Sequence, residues 1–500
     1  MAQENPQTQA ELATGTATFE PTEFEALLNK EFRPKTDQAK SAVQEAVKTL
    51  AQQALGAASL ISDDVLLTIQ SLVGELDRKL TEQVNQIIHH EDFRKLEGSW
   101  RGLHHLVSNT ETDEMLKIRV MNISKQDLGK TLKKYKGVAW DQSPIFKRIY
   151  EDEYGSPGGQ PYGCLIGDYF FDHSAPDVEL LAGMAQVASA AHAPFIAGAA
   201  PTVMNMDTWR ELSDPRDLTK IFQTPEYAPW RTLRDSEDSR YLGLAMPRFL
   251  SRIPYGAKTS PVEDFAFEED VEGADHNKYV WSNSAYAMGT NITRAFKLYG
   301  WCAQIRGTES GGMLEGLPVH TFPTDDGGVD MKCPTEIAIT DRREAELAKN
   351  GFMPLSHYKN TDYAVFIGAQ SLQKPAAYYD PDATANANLA TRLPYLFATC
   401  RFAHYLKCMV RDKIGSFKER SDMERWLNEW IRNFCVDGST ASETQKAMRP
   451  LADASVEVTE VEGNPGYYNS KFFLRPHYQL EGLTVSLRLV SKLPSAKGGK

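Results

Sequence analysis

Cysteine is scarce in this chain and never paired. Cys164, Cys302, Cys333, Cys400, Cys408 and Cys435 are scattered over 500 residues without a CxxC. Their spacing writes neither a disulfide framework nor a thiolate zinc site, and a reducing compartment suits them. Basic charge is also short. With 55 Lys and Arg against 67 Asp and Glu the formal charge is −12, which excludes nucleic-acid binding over the whole surface, because phosphate contacts need concentrated Lys and Arg. Long apolar runs are missing. The nearest approach to a membrane span, residues 180–204, is alanine-rich and broken by Gln186, His192 and Pro194. It reads as a buried helix followed by a strand, and no membrane insertion is expected. The first twenty residues have neither a basic start nor an apolar core, so no secretory signal is read there and a cytoplasmic location is expected.

Catalytic motifs are absent as well. The chain contains no GxxxxGK[ST], no GxGxxG opening a helix after a strand, no GxSxG and no HExxH, so no cofactor, metal or enzymatic activity is expected. Glycine clusters at residues 155–163 and 306–316 are read as loops that need positive φ. The pairs His89/His90 and His104/His105 invite a metal reading. Adjacent residues on a helix point about 100° apart, however, and cannot both face one ion, so packing or surface roles are expected. An α/β enzyme, a glycosidase or metal hydrolase built from dispersed carboxylates, remains the competing class; a pocket with convergent carboxylates of perturbed pKa would be its mark.

What is present is ordered along the chain. Residues 1–20 read as a disordered tail. Residues 21–56 read as N-terminal helices. In the first, Thr22 and Glu25 have capping-box spacing, Phe24, Leu27, Leu28 and Phe32 form one apolar stripe, and Pro34 ends it. The second covers 36–55, before Gly56. Residues 57–150 form a helical region suited to packing on a second chain. Its first helix follows Ser62 and carries Val65, Ile69, Leu72, Val73, Leu76, Leu80, Val84 and Ile87 on one face over roughly six turns.

Residues 151–375 read as a central α/β body. A buried strand at 163–171, a helix at 177–191 with an acidic first turn and a strand at 194–200 make a βαβ signal, and residues 241–250, 300–306 and 361–372 extend it. The run 261–275 holds seven carboxylates and no base and reads as a solvated loop.

Residues 376–500 read as a helix-plus-strand region. Turn-forming residues fill 375–388, and a helix is expected from about Asn388, with Pro394 tolerated in its first turn. Leu393, Leu396, Phe397, Cys400, Ala403, Leu406 and Val410 line one face, and Phe402, Tyr405 and Met409 a second. The next helix is read from a Ser421/Glu424 capping box through Trp426, Leu427, Trp430, Ile431 and Phe434 to a stop at Gly438. Alternation at Ala454, Val456 and Val458, and again at Leu483, Val485, Leu487 and Leu489, predicts half-buried strands. The fold expected is mixed α/β (α+β).

Three features bear on partners. The Phe24/Leu27/Leu28/Phe32 stripe is either a helix-in-groove ligand or a helix packed on its own domain. Residues 389–425 hold eight bases against four acids; Lys407, Arg411, Lys413 and Lys418 either contact an acidic surface or form a solvated, salt-bridged face. The strand at Leu483–Leu489 either joins a neighbouring chain or sits in the core.

The strings HHEDFRKLEGSWRGLHHLV (89–107), RLPYLFATCRFAHYLKCMVRDKIG (392–415) and FLRPHYQLEGLTVSLRLVSKLP (473–494) resemble the large subunit of the type VI secretion contractile sheath, the TssC/VipB family. The resemblance implies a structural subunit that pairs with the small sheath subunit (TssB/VipA), joins other protomers and a baseplate, and polymerises around an inner Hcp tube, which contraction expels. It also implies recycling by the AAA+ unfoldase ClpV. In those terms Phe24, Leu27, Leu28 and Phe32 would be the unfoldase segment, Lys407, Arg411, Lys413 and Lys418 the tube contact, and Leu483, Val485, Leu487 and Leu489 an intersubunit strand. A non-polymerising adaptor of an AAA+ machine is the third reading.

Overall fold

The computed structural model describes residues 65–479 apart from 215–216, 274, 325, 417–418 and 462–467, together with Gln38, Ser41 and Glu45. It divides into two compact units, one running to Ile87 and including Tyr255–Glu269, the other holding Ile88–Pro254 and the chain from Asp270 onward.

In the first unit, helix α1 (Val65–Ile88) fulfils the expected long helix, with Val73, Leu80 and Ile87 facing solvent at a seven-residue step. Gln38, Ser41 and Glu45 are helical and exposed, in keeping with polar positions of the expected 36–55 helix. The acidic run is less solvated than its composition suggested. Phe267 and Glu269 are buried, because the Glu269 carboxylate accepts the Tyr255 N–H at 2.8 Å and Phe267 packs against the Tyr255 ring. That main-chain donor offsets part of the cost of taking the carboxylate out of water.

The second unit opens with α2 (Glu91–Ser108) and α3 (Lys125–Lys134). Then β1 (Leu165–Phe171), α4 (Ala175–Ala191) and β2 (Phe195–Ala199) form the expected βαβ unit. Helix α5 (Ala228–Asp235) leads to β3 (Leu242–Met246) and β4 (Phe249–Leu250). There follow β5 (Trp281–Ser282), α6 (Ser284–Tyr299), β6 (Met313–Leu314), and the hairpin β7 (His320–Pro323) and β8 (Val329–Lys332). Next come α7 (Asp341–Lys349), β9 (Phe352–His357) and β10 (Ala364–Phe366).

The main sheet has the order β1-β2-β3-β9-β10-β6, parallel through β9 and antiparallel beyond it. Successive side chains alternate between its faces. Phe195, Ala197, Leu242, Leu244, Met246 and Phe352 join one core with α4 and α5, while Ile196, Ala245, Met353 and Phe366 join a second core with α6. Burial on both faces explains why these strands read as continuous apolar runs. Residues 300–306 form no strand; they leave the left-handed Gly300 at the end of α6 as an irregular segment.

The last third departs from expectation at its entry. The Asp- and Asn-rich run is itself helix α8 (Pro381–Ala390), started by Asp380, whose side chain accepts the Asp382 N–H, with Pro381 at the first position. Helix α9 (Leu393–Asp412) then begins anew, with Arg392 as its cap and Pro394 in the first turn, five residues later than expected. Helix α10 (Arg420–Arg432) has Glu419 at its N-cap and ends well before Gly438. Ser421 and Glu424 do not form a capping box, because Glu424 instead accepts the main-chain N–H of Val458. After α11 (Glu443–Met448) the described chain closes with the antiparallel pair β11 (Leu451–Glu460) and β12 (Tyr468–Pro476).

Candidate functional site

The β11–β12 pair forms a two-stranded antiparallel sheet of its own. Ala454, Val456 and Val458 of β11 are buried beside Leu427 and Ile431 of α10 and Phe402 and Leu406 of α9. Trp301 stacks at 4.4 Å on Phe402, and Phe434 meets both Phe402 and Trp430, so the sheet rests on an aromatic floor. Its other face, with Phe473, is exposed, as a one-sided antiparallel sheet requires.

Hydrogen bonding then separates the two edges. Val456 has both main-chain groups engaged by Asn428, and Val458 N–H donates to Glu424. These groups point away from β12, so Val456 and Val458 stand in non-hydrogen-bonded pairs with Phe472 and Ser470, whose own N–H and C=O must point away from β11. Leu474, opposite Ala454, follows the same period. None of Ser470, Phe472 and Leu474 has a main-chain partner on that outer side among the described residues. Beyond the strand, Gln479 is fixed by three hydrogen bonds: its N–H to Tyr395 Oη, its amide donor to Ala303 O and its acceptor to Arg306.

The expected basic face is divided. Lys407 donates to Tyr150 Oη at 3.0 Å and lies 3.8 Å from the Tyr154 ring centroid, and Arg411 donates to Tyr154 O, so both tie α9 to the helical segment Lys147–Gly155. Lys413 lies over the Trp426 ring. Lys418 is outside the described residues, as are Phe24, Leu27, Leu28 and Phe32 and the strand positions Leu483, Val485, Leu487 and Leu489.

The histidine pairs are apart in role. The His90 side chain accepts the Asp92 N–H at the start of α2. His105 packs on Phe249, where burial lowers its pKa, while His104 is exposed beside Ser108. Among the described residues no group of three His, Cys, Asp or Glu is placed to hold a metal. Gly158, Gly307, Gly311 and Gly316 do have positive φ. No helix among the described residues is long and apolar enough to cross a membrane.

Sequence reading missed two buried polar groups because their partners lie far along the chain. Glu336 receives Arg248 at 2.6 Å and lies 3.3 Å from His276; burial raises its pKa, but these neighbours outweigh it and leave the carboxyl at about 2. His404 of α9 donates to Ala191 O at 2.9 Å, and burial holds its imidazole down at about 4. A groove of about 1280 Å³ lies between α3 and α4. Its carboxylates Asp177 and Glu179 are each held by a lysine at 2.7 Å, Lys125 and Lys136 respectively, and do not form the unpaired couple that acid–base chemistry uses.

Residues 70–373 match the family model of the EvpB/VipB tail sheath N-terminal domain, and residues 382–493 that of the tail sheath gpW/gp25-like domain. The type VI secretion system sheath protein TssC1 of Pseudomonas aeruginosa is 72% identical over 489 residues, which cover 97% of this chain and 98% of that protein. Among solved structures, the anti-feeding prophage baseplate aligns at 11% identity with a TM-score of 0.37, over 76% of this chain and 84% of the other. The contracted sheath of an extracellular contractile injection system aligns at 10% and 0.33, over 62% and 68%. Scores of that size do not establish a shared fold.

Proposed function

This chain belongs to the VipB family of type VI secretion tail sheath proteins, and from that membership we propose that it pairs with the small sheath subunit (TssB/VipA) and polymerises around an Hcp tube. Contraction of the polymer drives the tube outward from a baseplate. The chain's part is structural: the energy is held in the packing of the extended lattice and released as protomers shift to a second packing. The ClpV unfoldase then dismantles the contracted form through Phe24, Leu27, Leu28 and Phe32. Residues 57–150 serve the small subunit, and residues 376–500 carry the links between protomers.

The observation that supports this most is the outer edge of β12. A strand whose N–H and C=O groups lack partners is a template for a strand of another chain, and main-chain hydrogen bonds then hold the two together without a large apolar patch. Leu483, Val485, Leu487 and Leu489 supply such a strand to a neighbouring protomer in this reading. Lys413 and Lys418 face the tube, where exposed ion pairs, individually weak and screened by salt, suit a surface that grips and releases.

Proline at Ser470 tests the edge. Ser470 lies opposite Val458 in a non-hydrogen-bonded pair, so Ser470→Pro removes only an outward donor and leaves the β11 ladder intact. The variant should still co-purify with the small subunit but form no tubes. Normal tubes from it would remove β12 from the proposal.

A further inference from the structure

Cys333 is set among groups that can take its proton. It directly follows β8, and the chain beyond it is pinned beside β4 by main-chain hydrogen bonds, Leu250 N–H to Pro334 O at 2.7 Å and Glu336 N–H to Arg248 O at 3.0 Å. Two side chains converge on the sulfur. The Thr335 hydroxyl, fully buried, lies 3.1 Å from Sγ, and His357, the last residue of β9, hydrogen-bonds the thiol. A third group orients the imidazole. Nε2 lies 2.9 Å from Thr361 O, and because a carbonyl only accepts, Nε2 carries the proton and Nδ1 is the nitrogen left to receive one. Thr335 donates to Ile337 O at 2.8 Å and can turn that proton onto the sulfur when charge appears there. Nucleophile, base and orienting acceptor are the parts that activate a cysteine.

The other thiols lack this setting. Cys164, Cys302 and Cys435 donate to main-chain carbonyls at 3.8, 3.7 and 3.7 Å, contacts that require the proton to stay on sulfur. At Cys333 burial alone would raise the thiol's pKa, but His357 and Thr335 outweigh it, and the thiol in turn raises that of His357 against its own burial.

We propose that Cys333 is a modification site for small hydroperoxides, with His357 as its proton carrier. The thiolate attacks one peroxide oxygen, so that an S–O bond forms as the O–O bond breaks. Sulfur gives up two electrons to the peroxide. The leaving hydroxide takes the proton held by His357 and departs as water, and the product is the sulfenic acid Cys333–SOH. Size favours this reagent over a peptide disulfide, because the sulfur is half-buried and two oxygen atoms reach it more readily than a branched molecule.

The full-length chain, exposed briefly to hydrogen peroxide with a dimedone-type trap for sulfenic acid, tests this when adducts at all six cysteines are read by mass spectrometry. Cys333 should carry at least roughly tenfold more adduct than any other cysteine at neutral pH. His357→Gln keeps a polar side chain but cannot hold the proton. It should lower the adduct at least roughly tenfold and move the rise of labelling with pH upward, toward the ordinary thiol value of about 8.5. A change in packing alone would alter the extent of labelling and leave that profile in place. No excess at Cys333, or a profile that His357→Gln does not move, overturns the assignment; so does a mixed disulfide with oxidised glutathione where peroxide leaves no sulfenic acid. Should His357→Gln fail to fold, the wild-type profile decides: labelling already level by pH 7 supports the pair, and a rise centred near about 8.5 contradicts it.

Discussion

Asn428 holds Val456 by both of its main-chain groups: Nδ2 lies 2.7 Å from Val456 O, and Val456 N lies 2.9 Å from Oδ1. One carboxamide on α10 thereby does for β11 what a neighbouring strand does elsewhere in a sheet. Asn428→Ala leaves a donor and an acceptor without partners beside the core. A loss of about 2 kcal/mol is expected, seen as a lower urea midpoint with unchanged slope; Asn428→Asp, which sets a carboxylate oxygen against Val456 O, should lose at least as much.

Gly98 fixes how closely α2 lies against β5. Gly98→Ala sets a methyl group against a main-chain oxygen that cannot rotate away, and a cost of about 3 kcal/mol is expected. Gly74, with nothing within 4 Å of its Cβ position, is the control. Gly74→Ala on the same kind of helical backbone should stabilise slightly. Thermal melts of the two variants distinguish a packing requirement from helix propensity.

His404 makes stability depend on acid. Its pKa is about 4 in the fold and near 6.5 when unfolded, so the unfolded chain takes up a proton that the folded one refuses. Its contribution is whole above pH 6.5, falls as the pH drops, and is gone by about pH 4, a total of about 3 kcal/mol. His404→Gln should flatten the pH dependence of the denaturation midpoint between pH 6.5 and 4.

Cys333 should react before Cys302 and Cys400. Burial raises its pKa, but hydrogen bonds with His357 and Thr335 outweigh burial and leave it lowered. Burial pushes Cys302 and Cys400 up to about 12. Brief iodoacetamide treatment at neutral pH, read by mass spectrometry, should label Cys333 at least roughly tenfold faster than either. His357→Ala should remove most of that advantage.

Much of the architecture was legible because it is written in short-range pattern. The strand at Leu165–Phe171 is a short apolar run, the helix at Ala175–Ala191 opens on an acidic first turn, and the stripe from Leu393 to Val410 follows a period of 3.6. Pro381–Ala390 was read as turns because Asp, Asn and Pro favour them; one cap at Asp380 and a proline at the first position reverse the preference. The Glu336 cluster joins residues 88 and 60 positions apart, which no local spacing reveals.

The central claim is that this chain, with its small partner, builds a tubular polymer joined by strands. Electron microscopy of the chain alone, of the co-produced pair, and of the pair shortened after Gly482 tests it directly. Regular hollow tubes only from the full-length pair, with the shortened pair intact but unpolymerised, are predicted. Discrete particles from the full-length pair, or normal tubes from the shortened one, contradict it.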